Sequence, residues 1–132
     1  MKIASFSAVI ILALAMLVGV TPANADIPTC QLLLDSLRSQ TEAVDISAKD
    51  RATLLSKVDD ARAKINQAKF CDALEKLNEY RAKVNDLLNA PKPKISQEDA
   101  DSLLTLVNDA IACITELACN SGNDCGGTIT CP

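Results

Sequence analysis

The chain has 132 residues, with 13 Lys and Arg against 17 Asp and Glu, six Cys, and neither His nor Trp. Setting aside an N-terminal export segment of 25 residues leaves 107, enough for one small domain around one core, with 12 basic groups against 17 acidic and a formal charge of −5. That balance excludes a nucleic-acid or anionic-membrane surface built on bulk charge, and without histidine any acid/base chemistry would need a strongly shifted carboxylate, lysine or thiol.

In chain order, Lys2, the apolar run from Ala8 to Val20 and the small residues Ala23-Asn24-Ala25 form the three parts of a signal peptide. Residues 1–25 are therefore expected to be removed, and the mature chain to begin at Asp26. The apolar run of about 13 residues falls short of the roughly 20 that a spanning helix needs, so no integral membrane segment is expected after cleavage. All six cysteines, Cys30, Cys71, Cys113, Cys119, Cys125 and Cys131, follow the cut. An even number in a short exported chain reads as three disulfides in an oxidising space, secreted or periplasmic. A zinc site would want a CxxC pair or histidine, and the sequence has neither; no metal or cofactor is expected.

The mature chain reads as four amphipathic helices. Pro28 marks the first, from about 28 to 43, with Cys30, Leu33 or Leu34, Leu37 and Val44 at three- and four-residue steps. Ser47, with Asp50 three residues on, caps a second of about 20 residues, in which Leu54, Val58, Ala61, Ile65 and Ala68 form the stripe. Phe70, Ala73, Leu77, Tyr80, Val84 and Leu87 continue the alternation in a third, which stops before Pro91. Lys69-Phe70 carries no Gly or Pro, so the pattern over 47–90 leaves open one long helix or two; length favours a break there. Pro91-Lys92-Pro93-Lys94 is a connector, Ser96 caps the fourth helix with Ile95 as hydrophobic staple, and Ala100, Leu103, Val107, Ala110, Ile114 and Leu117 give its stripe. Asn120 to Asp124 ends it, and Gly126-Gly127 keeps the tail irregular.

Stripes of this kind bury only against one another, and short connections make neighbours antiparallel. The expected fold is all-α: an up-down-up-down four-helix bundle over 26–118, with an irregular, disulfide-bonded, cysteine-rich tail over 119–132. In that topology the starts of the first and third helices and the end of the fourth meet at one pole, which gathers Cys30, Cys71 and Cys113. If Leu88 and Gln97 flank the connector at equal height, Cys113 stands opposite residue 72, which favours a Cys71–Cys113 bond. Cys30 with Cys119 and Cys125 with Cys131 would follow, although six cysteines allow 15 complete connectivities.

Between about Leu32 and Ile114 the pattern resembles the FIMAH domain, a small helical module appended to secreted bacterial enzymes and surface proteins. The matching residues are Leu54-Leu55-Ser56-Lys57-Val58-Asp59-Asp60-Ala61, Ala73-Leu74-Glu75-Lys76-Leu77-Asn78, Val84-Asn85, Ile95-Ser96 and Ala100-Asp101-Ser102-Leu103-Leu104. The resemblance implies an accessory, non-catalytic role and brings no catalytic residues with it.

Three function classes follow. The leading one is a secreted, disulfide-stabilised, non-catalytic interaction or structural module that offers a helical face or the tail to a protein partner. The alternative is a carrier of a small hydrophobic ligand in the helical core, against which the regular, well-filled stripes argue. An enzyme is not expected. Asp59-Asp60 on one helix point apart, Glu98-Asp99-Ala100-Asp101 complement the positive end of the fourth helix, and there is no EF-hand loop. Lys92 and Lys94 form a small basic spot without interleaved aromatics, unsuited to stacking on nucleic acid.

Overall fold

A computed structural model describes residues 25–132; the signal-peptide reading over 1–25 lies, apart from Ala25, outside the described residues. The fold is the expected four-helix bundle: α1 (Ile27–Ala43), α2 (Ala48–Asn66), α3 (Phe70–Asn89) and α4 (Gln97–Asn120), with a single 3-10 turn at Cys125–Gly127 in the tail. Each helix packs on its neighbours in sequence, and α4 closes the ring against α1.

The local chemistry explains the boundaries. Asp26 caps α1 by accepting from the Thr29 N–H at 2.8 Å, and Pro28, in second place, has no donor to lose. Ser47 caps α2, accepting from the Asp50 N–H at 3.1 Å, while its hydroxyl donates to the Asp50 carboxylate at 2.8 Å. Ser96 caps α4 by accepting from the Asp99 N–H at 3.1 Å. Residues 47–90 form two helices. α2 ends in a Schellman motif, in which the Ala68 N–H donates to Ile65 and the Lys69 N–H to Lys64, both at 2.9 Å. Ala68 takes the left-handed position at φ 58°, where glycine usually stands.

The core fills the space between the stripes. Leu34, Leu37, Leu54, Val58, Ile65, Leu77, Tyr80, Val84, Leu103, Val107 and Ile114 are all fully buried. On α1 the fourth stripe position is Thr41 rather than an apolar residue. Its hydroxyl donates to the Leu37 carbonyl at 2.6 Å, so across the 2.7 Å contact with Tyr80 it is the phenol that donates. Burial pushes the Tyr80 phenol up to about 12. By length and composition α4 would satisfy a membrane span, but here its Leu103, Val107, Ala110 and Ile114 stripe lies in the protein core.

The sulfur atoms do collect at one pole, but none of the three expected pairings is formed. Cys30 bonds Cys113, not Cys119; Cys71 bonds Cys125, not Cys113; and Cys119 bonds Cys131, leaving no Cys125–Cys131 link. Height along the rod does not fix the direction of Cys113 around its helix. Ile111 and Thr115 face α3 beside Cys71, and Asn108 on the same flank accepts from Arg81 Nη1 at 3.0 Å. Cys113 is two residues from Ile111, a rotation of about 200°, and so faces α1. The helix also continues to Asn120, which makes Cys119 a residue of α4 rather than the first of the tail.

Candidate functional site

The sulfur pole is where the chain departs most from a plain bundle. α4 ends in a second Schellman motif, with the Gly122 N–H donating to Cys119, the Asn123 N–H donating to Ala118, and Gly122 at φ 77°. This reverses the chain, and the tail returns over the junction of α3 and α4. Cys125, Gly126 and Gly127 follow one another in left-handed conformations, φ 55°, 68° and 84°, and curl the tail tightly. Thr128 closes the curl by donating its hydroxyl to the Cys125 carbonyl at 2.7 Å. The Cys71–Cys125 bond then fastens the curl to the first turn of α3, and Cys119–Cys131 ties its end back to α4.

Together these elements enclose a groove of about 640 Å³ between α3, α4 and the tail. Leu74 and Ile111 form its floor, Thr128, Ile129 and the Cys71–Cys125 bridge one wall, and Asp72, Glu75 and Glu79 its acidic rim. Glu79 is already engaged: Lys57 donates to its carboxylate at 3.0 Å and Lys76 lies at 3.4 Å. The Lys57 hydrogen bond is the main cause holding that carboxyl below the usual range. Asp72 and Glu75 are exposed and make no ion pair among the described residues. Chemically the groove suits an apolar side chain with a cationic or hydrogen-bonding neighbour.

Of the residues singled out in the sequence, all six cysteines belong to this pole. The acidic clusters do not assemble there. Asp59 receives a hydrogen bond from Arg38 on α1 at 2.5 Å, and Glu98 and Asp99 sit in the first turn of α4 at the opposite end. Lys92 and Lys94 are exposed in the proline connector, also at that end. The sequence pattern does not point to Thr128; Ile129 is the one large apolar residue after Cys119, a signal that it packs back on the bundle. Compared with protein-family models, curated proteins and solved structures, the chain matches none.

Proposed function

We propose that this chain is a secreted, disulfide-stabilised, non-catalytic module that binds a protein partner through the groove at its sulfur pole. The observation that carries the reading is the tail, fastened at both Cys125 and Cys131 so that its curl forms a fixed wall over an apolar floor. A preorganised wall of this kind lowers the ordering cost of association. Three disulfides in a small helical protein are typical of oxidising compartments. An accessory role is also what the resemblance to the FIMAH domain implies. The filled centre of the bundle, with Tyr80 and the leucines around it at 0% exposure, favours surface binding over a carrier role.

The test is capture from the native culture or cell envelope with the intact mature protein, beside an Ala82→Arg variant that places a cation at the exposed edge of the groove. A partner retained by the parent and lost with the variant is the expected result, while the circular-dichroism melt of the variant stays unchanged. Equal capture by both proteins would contradict the assignment of the surface. Saturable, tight uptake of a fluorescent fatty acid by the mature protein would overturn the reading in favour of a carrier.

A further inference from the structure

On the other flank of α4 lies a second surface, independent of the tail. Two hollows of about 840 and 520 Å³ run along the seam between α1 and α4 and share Gln40 and Leu106. From Leu32 to Gln40 the seam covers about 12 Å of helix, roughly two turns. Leu32 is 66% exposed, the most exposed large apolar residue among those described, and Leu106 lies beside it in the same hollow.

Charge sets this seam apart. No residue lining either hollow is Lys or Arg, and from Ile95 to the end of the sequence there is no cation at all, against six acids. The basic groups of the bundle lie mostly on α2 and α3, where Lys57, Arg62 and Lys83 are engaged in ion pairs. Asp35 in the seam is paired with Arg62, which leaves Glu98 and Asp101 as acids of the α4 side that make no ion pair among the described residues, with Lys94 in the adjoining hollow beside Glu98. Two leucines set among Ser, Thr and Gln, with Asp101 and then Glu98 further along α4 toward its start, complement a helix that carries Leu-type residues along one face and Lys or Arg beside them.

We propose that the α1–α4 seam docks a cationic amphipathic helix of a partner polypeptide, with Leu32 and Leu106 receiving its apolar face and Glu98 and Asp101 its cations. The probe is a fluorescein-labelled synthetic helix of 18 residues with leucines on one face and lysines on the flanks, titrated into the disulfide-intact mature protein by fluorescence anisotropy. Saturable one-to-one binding is expected, weakening at least tenfold between 50 and 500 mM salt, with no binding of the same peptide carrying Glu in place of Lys. Leu32→Ser and the pair Glu98→Lys/Asp101→Lys are each expected to weaken it at least tenfold. The pair Asp72→Lys/Glu75→Lys, which changes net charge equally at the other groove, and Ala82→Arg are expected to leave it unchanged. Equal losses from the two lysine pairs would reduce the effect to bulk charge and overturn the proposal, as would full binding by Leu32→Ser. Sedimentation showing that the protein dimerises through Leu32 would instead make a second copy the occupant. Because Ala82→Arg addresses the pole groove alone, failure of one surface is distinguishable from failure of the other.

Discussion

At one end of the bundle three disulfides tie α1 to α4, α3 to the tail and the tail to α4; at the other end, among the described residues, no disulfide joins the helices. The far end is plugged instead. Val44, Ile46 and Ile95, all in connectors, are at most 8% exposed, and Arg51 donates from Nη2 to the Val44 and Ile46 carbonyls at 3.0 and 3.3 Å. Asp50 pairs with Lys83 at 3.1 Å, and the Lys94 N–H returns to the Leu87 carbonyl at 2.9 Å to close the proline connector. The sulfur pole has fewer such devices: α3 starts at Lys69 without a side-chain cap, Ala68 holds a left-handed turn, and the tail is mostly exposed. The cross-links therefore stand where the α2–α3 junction and the tail lie exposed, and the connectors at the other end are part of the core itself.

The largest test of this contrast is removal of the bridge with the greatest separation. Cys30→Ala/Cys113→Ala opens a link spanning 83 residues. In the chain-entropy account this loses about 4 kcal/mol, and at roughly 4–8 °C per kcal/mol for a domain of this size the melting temperature should fall on the order of 20 °C. Cys119→Ala/Cys131→Ala opens a link of only 12 residues, for which the same account allows about 3 kcal/mol at most; because it fastens exposed tail that can open locally, the melt of the helices should move by well under half as much. Circular dichroism at 222 nm reads both. Equal shifts would mean that the tail is integral to the bundle, and the two-part description of this end would fail.

Next in size is a test of the far end. Ile46→Ala removes most of a buried plug and should cost about 2 kcal/mol, read as a lowered urea midpoint with an unchanged slope. Since the two ends lie about 20 Å apart along α1, combining this change with Cys30→Ala/Cys113→Ala should be additive within about 0.5 kcal/mol. A larger coupling would show that the covalent end and the plugged end hold each other up, and that their separation as devices is wrong.

How much of this was legible in the sequence depends on how many dimensions the signal has. Helix existence is one-dimensional, and the steps from Leu54 to Ile65 and from Leu103 to Leu117 specify it, as do the serines at 47 and 96 that accept from their third N–H. Height along the rod is also one-dimensional, and the gathering of the cysteines at one pole came out of it. Pairing needs the direction around each helix as well. Cys113 and Ile111 differ little in height yet face different neighbours, so height alone sets Cys113 opposite Cys71 whereas direction gives it to Cys30. The groove was hidden for the same reason, because its wall depends on the tail doubling back through three successive left-handed residues. Thr41 marks another limit: at a stripe position it reads as a polar interruption, and only the partner Tyr80, 39 residues away, explains it.

The smallest prediction uses the two Schellman motifs as a matched pair. α2 and α4 both end at the sulfur pole with the same two return hydrogen bonds, but α2 places Ala68 and α4 places Gly122 in the left-handed position. That substitution is why the end of α4 could be read from sequence and the end of α2 could not. A left-handed alanine is disfavoured by about 1–2 kcal/mol, whereas glycine loses some of that advantage through the greater freedom of the unfolded chain. Ala68→Gly, at an exposed site with no packing to lose, should therefore stabilise the protein by about 0.5–1 kcal/mol, and Gly122→Ala should destabilise it by about the same amount. Opposite signs in urea titrations would establish that the two helix ends are one device built from different residues. Destabilisation by Ala68→Gly would mean that the α2–α3 junction gains more from alanine's restricted unfolded chain than it loses in the turn, and the account of Ala68 as a strained stand-in for glycine would have to be given up.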